Sequence, residues 1–146
     1  MSKNKRRLNY SFTAAFAGFI FGFDTIVISG VDQKLQDLWH STDLFHGLVV
    51  IGMALWGTVI GAIFGGLPTN YFGRKKTLLW IGYLYSISAI GSAISSDPIT
   101  FAFFRFIGGI GIGISTIAAP AYISEISAPN ERGKLVGYYQ LNIVIG

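Results

Sequence analysis

Leu44 to Phe72 runs without a single formal charge, and so does Thr77 to Ser96. Two further stretches are interrupted once each: Leu8 to Val31 holds Asp24, and Pro98 to Ser124 holds Arg105. Each is long enough to cross a hydrocarbon core of about 30 Å, which takes about 20 helical residues. The chain is only 12% charged, against about 25% for an ordinary soluble domain. A membrane protein built from spanning helices follows. A fifth apolar stretch begins near Leu135 and reaches Gly146. As a helix it rises only about 18 Å, so the chain reads as a fragment of a larger protein. The expected helices lie near 8–31, 44–72, 77–96, 98–127 and 133–146.

The basic residues set the orientation. Lys3, Lys5, Arg6 and Arg7 precede the first span, Arg74, Lys75 and Lys76 separate spans two and three, and Arg132 and Lys134 separate spans four and five. Of the 11 basic residues only Lys34 and Arg105 lie elsewhere. The positive-inside rule then places the amino terminus and these loops in the cytoplasm. The net charge of +4 is accounted for by topology, and no nucleic-acid partner is expected. The first span is too long for a signal peptide and has no A-x-A cleavage pattern after it. The expected linkers are short: 32–43 and 95–98 outside, 73–76 and 128–134 inside. Short linkers make neighbouring helices antiparallel and adjacent.

Glycine recurs at a spacing of four: Gly18 and Gly22, Gly57 and Gly61, Gly61 and Gly65, Gly109 and Gly113. Small residues at this spacing let helix backbones approach closely in lipid. The run Gly108 to Ser115 is superficially a nucleotide loop, but its glycines miss the G-x-G-x-x-G spacing and no strand precedes it. No cysteine is present, which excludes disulfides and thiolate metal sites. His40 and His46 lack a partner at metal-ligand spacing, and a surface or interface role is expected for both. No nucleophile–base set occurs, so no enzyme, no cofactor and no metal are expected.

The two intramembrane charges are the chemical signal. A lone charge near the bilayer centre costs about 2.5–3.5 kcal/mol on insertion scales. Counted from Gly30 and from Ile99 on antiparallel spans, Asp24 and Arg105 both lie about 9 Å inside. Opposite sign at equal depth favours a pair. Low dielectric favours a neutral carboxyl, whereas a neighbouring guanidinium favours the ionised one. A conformational change that alters this balance would couple a proton to a solute. A static pair that only locks two helices fits the same residues.

The sequence resembles the amino-terminal part of sugar porters of the major facilitator superfamily. The resemblance is carried by GFIFGFDTIVISG (18–30), GGLPTNYFGRKK (65–76), RFIGGIGIGIS (105–115) and PAYISEISAPNERGKLVGYYQLNIVIG (120–146). It implies an all-α membrane protein with a partial major facilitator fold: transmembrane helices one to four and the start of helix five, within the amino-terminal six-helix half. It resembles proton-coupled symporters, in which the positions of Asp24 and Arg105 are the protonation site and its partner. Phe21, Gln140 and Ile143 match substrate-binding positions. An amide both donates and accepts, as a sugar hydroxyl does. Gly73, Arg74, Glu125 and Arg132 match a cytoplasmic gate. Asn70 and Tyr71 depart from the aspartate and arginine usual in that loop.

The resemblance further implies a monosaccharide or polyol substrate, protons and membrane lipid as partners, a missing carboxy-terminal half, and a plasma or inner membrane location. Sugar transport by proton symport with alternating access is the function expected. A passive facilitator, a non-transporting sugar sensor and an inactive fragment remain as alternatives.

Overall fold

The computed structural model describes residues 3–146, with side chains from residue 13 onward. The side chains of Lys3, Lys5, Arg6 and Arg7 lie outside the described residues. Helix α1 (Lys3–Trp39) does not stop at Val31 but continues about two turns further. No proline or glycine interrupts 32–39, and two polar residues there find partners on the second span. Asp32 Oδ1 contacts His46 Nε2 at 2.8 Å, and Gln36 Nε2 donates to Asp43 Oδ1 at 2.6 Å. Trp39 packs on Phe101 with ring centroids 5.3 Å apart. Most of the expected outer linker 32–43 is therefore helix.

The second span is segmented. It comprises α2 (Asp43–Phe45), a π-helical turn (His46–Ile51), α3 (Gly52–Phe64) and α4 (Gly66–Phe72). The break at Gly65 follows from Pro68, which has no N–H to offer the carbonyl of Phe64. Thr77 Oγ1 donates to the carbonyl of Pro68 at 3.1 Å and so ties α4 to the next helix. Helices α5 (Arg74–Ile94), α6 (Pro98–Ile126) and α7 (Arg132–Ile145) complete the chain. Among the described residues, four segments are long and apolar enough to cross a membrane: Thr13–Trp39, Asp43–Phe64, Arg74–Ile94 and Pro98–Ile126.

Helix α6 is the hub. It packs against α1, α3, α5 and α7, while α1 lies along α7. Pro98 starts α6 where a missing N–H costs nothing, and Asp97 caps it by accepting the Thr100 amide at 2.8 Å. That hydrogen bond holds the exposed Asp97 carboxyl below its ordinary range.

The glycine spacing finds its purpose at two interfaces. A methyl at Gly57 or Gly61 would fall on the carbonyl oxygen of Phe106 or Ile110 in α6. Reciprocally, a methyl at Gly109 or Gly113 would fall on the carbonyl of Ala54 or Thr58 in α3. Between α1 and α7, Gly18 and Gly22 meet the carbonyls of Tyr139 and Ile143. A buried cluster of Ala14, Ala15, Ala119, Ile123, Leu135 and Tyr139 joins α1, α6 and α7. Large apolar side chains such as Leu55, Trp56, Ile63, Trp80 and Ile90 point outward, as suits a lipid-facing surface.

Candidate functional site

Asp24 and Arg105 meet. Arg105 Nη1 donates to Asp24 Oδ1 at 2.5 Å, across the α1–α6 contact. The arginine side chain is 9% exposed and the aspartate side chain 30%. Gly22 faces α7, and Asp24 lies two residues on, about 200° of helical turn. The carboxylate therefore points away from α7, into a cavity of about 580 Å³ between α1, α5 and α6. Arg105 Nε is buried there without a hydrogen-bond partner among the described residues. An arginine can use five donors, so the pair is not saturated by its one contact.

The same cavity is lined by Tyr85, Ser86, Ser88 and Ser92 of α5. Sequence reasoning did not single these out. Scattered serines in an apolar span carry no signal of their own, because helix hydroxyls commonly bond back to their own backbone. Ser86 does so, donating to Gly82 O at 2.9 Å. Tyr85 Oη and Ser92 Oγ are buried without a hydrogen-bond partner among the described residues.

Phe21, Gln140 and Ile143 fall on the neighbouring helices α1 and α7. Gln140 is exposed, whereas Phe21 and Ile143 are half-buried. Ile143 packs toward α1, where its Cγ1 would lie 3.1 Å from a methyl at Gly18. Its visible role is interhelical packing.

At the basic end, Arg74 Nε lies 2.7 Å from Glu125 Oε1, although the N–H does not point at the oxygen. Charge rather than a formed hydrogen bond holds this pair, and half-exposed pairs contribute only about 0–1 kcal/mol. Arg132 is exposed and forms no ion pair among the described residues. Gly73 takes φ 81° and ψ 152° between α4 and α5. That region is open essentially to glycine alone, at a cost of about 1–3 kcal/mol for other residues. Gly73→Ala is therefore expected to lower thermal stability by about that amount. Gly66→Ala, where the added methyl meets open space, should leave the unfolding midpoint almost unmoved.

His46 is buried, with Nε2 on Asp32 and Nδ1 at 3.0 Å from Ser41 Oγ. It serves the interface between α1 and the second span.

A family model described as "Sugar (and other) transporter" matches residues 10–146. The "Glucose transport protein" of Synechocystis sp. is 42% identical over 133 residues, covering 91% of this chain and 28% of that protein. The "Arabinose-proton symporter" of Bacillus subtilis is 39% identical over 136 residues, covering 93% and 29%. Among solved structures, the "proton:xylose symporter" of the major facilitator superfamily, bound to 6-bromo-6-deoxy-D-glucose, superposes with TM-score 0.89 at 29% identity. That match covers 99% of this chain and 36% of that one. The chain thus spans less than a third of the length of these curated relatives.

Proposed function

The chain belongs to the sugar (and other) transporter family, and from that premise we propose that it is the amino-terminal part of a proton-coupled monosaccharide or polyol transporter. Its fold is the corresponding portion of the major facilitator fold. The observation that carries the coupling is the Asp24–Arg105 pair, an ionisable carboxylate held beside a buried guanidinium at a helix crossing. Such a pair can exist in two states. Ionised Asp24 keeps α1 on α6; protonated Asp24 loses the charge attraction and frees the arginine. Binding of sugar on the α1–α7 side and of a proton on the α1–α6 side then bias one rocking motion.

In this reading Phe21, Gln140 and Ile143 contribute to the sugar site, and the remainder of the transporter supplies the rest. Gly73, Arg74, Glu125 and Arg132 belong to the inner gate. Gly73 sets the direction of the chain into Arg74, and the Arg74–Glu125 pair joins the α4–α5 turn to α6. Arg132 would act only against residues beyond those described. The amino terminus and the basic loops are cytoplasmic, and the protein sits in the plasma or inner membrane.

The test is uptake by the whole transporter in proteoliposomes, offered D-glucose, L-arabinose and D-xylose under an inward proton gradient. Accumulation of one of them above the bath concentration, with alkalinisation outside, is the expected result. Equilibration without proton movement would assign it instead as a facilitator.

A further inference from the structure

Hydroxyls inside helices commonly turn back on their own backbone. Ser86 donates to Gly82 O at 2.9 Å, Ser115 to Ile112 O at 2.7 Å and Ser124 to Ala121 O at 2.9 Å. Ser92 of α5 departs from this habit. Its Oγ is buried and has no hydrogen-bond partner among the described residues. Ser92 lines the same cavity as Asp24 and Arg105, where Arg105 Nε is a second buried atom without a partner among those residues. One of these orphans can only donate, and the other can accept.

The register of α5 on α6 brings the two close. A methyl at Gly108 would fall on Ser88 Oγ, and one at Gly91 on the ring of Phe104. The helices therefore run antiparallel in close contact, and Arg105 lies about level with residues 90 and 91 of α5. Arg105 and Gly108 are three apart and share one face of α6, while Ser88 and Ser92 are four apart and share one face of α5. Ser92 is thus within about one helical turn of Arg105 along the bundle. Among the described residues, the titratable groups lining the cavity are Asp24 of α1, Tyr85 of α5 and Arg105 of α6. Helix α3, also packed on α6, carries none, and Asp24 points away from α7.

A guanidinium stays charged. If Asp24 were protonated with nothing to replace it, the buried charge of Arg105 would be left without compensation, which strongly opposes release. We propose that Ser92 is a positioning residue that receives Arg105 when Asp24 is protonated, so that α5 takes the guanidinium over from α1. The proposal rests on the proton-coupled reading of the preceding subsection. The serine oxygen accepts from the guanidinium, and its own proton can go to the Ser88 carbonyl four residues back. Helix α1 is then free of α6 without a charge left stranded between them.

The experiment is a double-mutant cycle on the purified whole transporter, with Asp24→Asn standing in for the protonated carboxyl. Ser92→Ala alone is expected to leave the unfolding midpoint almost unmoved, since it removes a hydroxyl that has no partner while Asp24 holds Arg105. In the Asp24→Asn background the same change is expected to lower the midpoint by at least about 2 °C. Ser86→Ala, which removes a hydroxyl bonded to its own helix, is the control and should act equally in both backgrounds. Ser92→Thr keeps the hydroxyl and is expected to follow serine in both. In proteoliposomes, Ser92→Ala should need about tenfold more protons for half-maximal sugar uptake, the loss of one hydrogen bond to a charged group in the protonated state. Equal effects of Ser92→Ala in the two backgrounds, or an uptake curve that coincides with that of a proton-driven wild type, would overturn the proposal. If wild-type uptake ignores protons altogether, the proton-coupled reading fails, and the cycle still decides whether Ser92 serves Arg105.

Discussion

Asp24→Asn is expected to abolish sugar accumulation while leaving sugar exchange intact. A one-proton symporter facing a gradient of two pH units can concentrate its sugar by about 100-fold, since each pH unit supplies about 1.4 kcal/mol. The asparagine variant cannot take up the proton, so its ceiling is equality of the two sides. Uptake of labelled sugar into proteoliposomes, read against counterflow of the same sugar, separates accumulation from passage. A variant that concentrates sugar like wild type would remove Asp24 from the coupling step.

The same substitution has a cost in stability. It leaves the Arg105 charge buried opposite a neutral amide. Breaking a buried pair by removing one partner costs about 3–5 kcal/mol, and the 30% exposure of the Asp24 side chain places this case near the lower bound. The double variant Asp24→Asn, Arg105→Gln should recover much of the lost thermal stability without recovering accumulation. That divergence distinguishes a coupling pair from a lock, which would regain both together.

The second large effect is expected at the α3–α6 crossing. Gly61→Leu combined with Gly113→Leu should prevent these helices from packing, seen as loss of the monodisperse peak in detergent chromatography. The reason is geometric. At each position the added Cβ falls on a backbone carbonyl of the facing helix, Ile110 in one case and Thr58 in the other. A side chain could rotate away, but a helix backbone cannot, so the helices must separate along their length. Gly61→Ala alone should cost about 1–3 kcal/mol, the usual penalty of overpacking. Gly82→Ala is the control, because nothing lies within 4 Å of its added methyl. Equal stability of Gly61→Ala and Gly82→Ala would mean that close backbone approach does not hold this bundle together.

The family and the pair were legible in the sequence because each rests on a local or countable signal. Uninterrupted apolar length permits little except a spanning helix. Two charges of opposite sign at equal depth on antiparallel spans have few places to go but toward each other. Glycines four apart marked which helix faces would close tightly, though not which helix each would meet. The outer end of α1 is not legible in the sequence, because its continuation to Trp39 depends on partners elsewhere in the chain, chiefly His46, Asp43 and Phe101. Arg132 likewise could not be placed from its spacing: Glu125 pairs with Arg74 from another turn.

Sequence by itself determined the number of spanning segments, their alternation and the presence of an intramembrane ion pair, because insertion into lipid penalises charge residue by residue. Only the tertiary structure decided that Asp24 turns away from α7 into a cavity with Tyr85 and the serines of α5, and that Tyr139 rather than Gln140 reaches the interior. Rotation of one helix about its axis costs nothing until its neighbours are in place, so the face each side chain presents is set by packing.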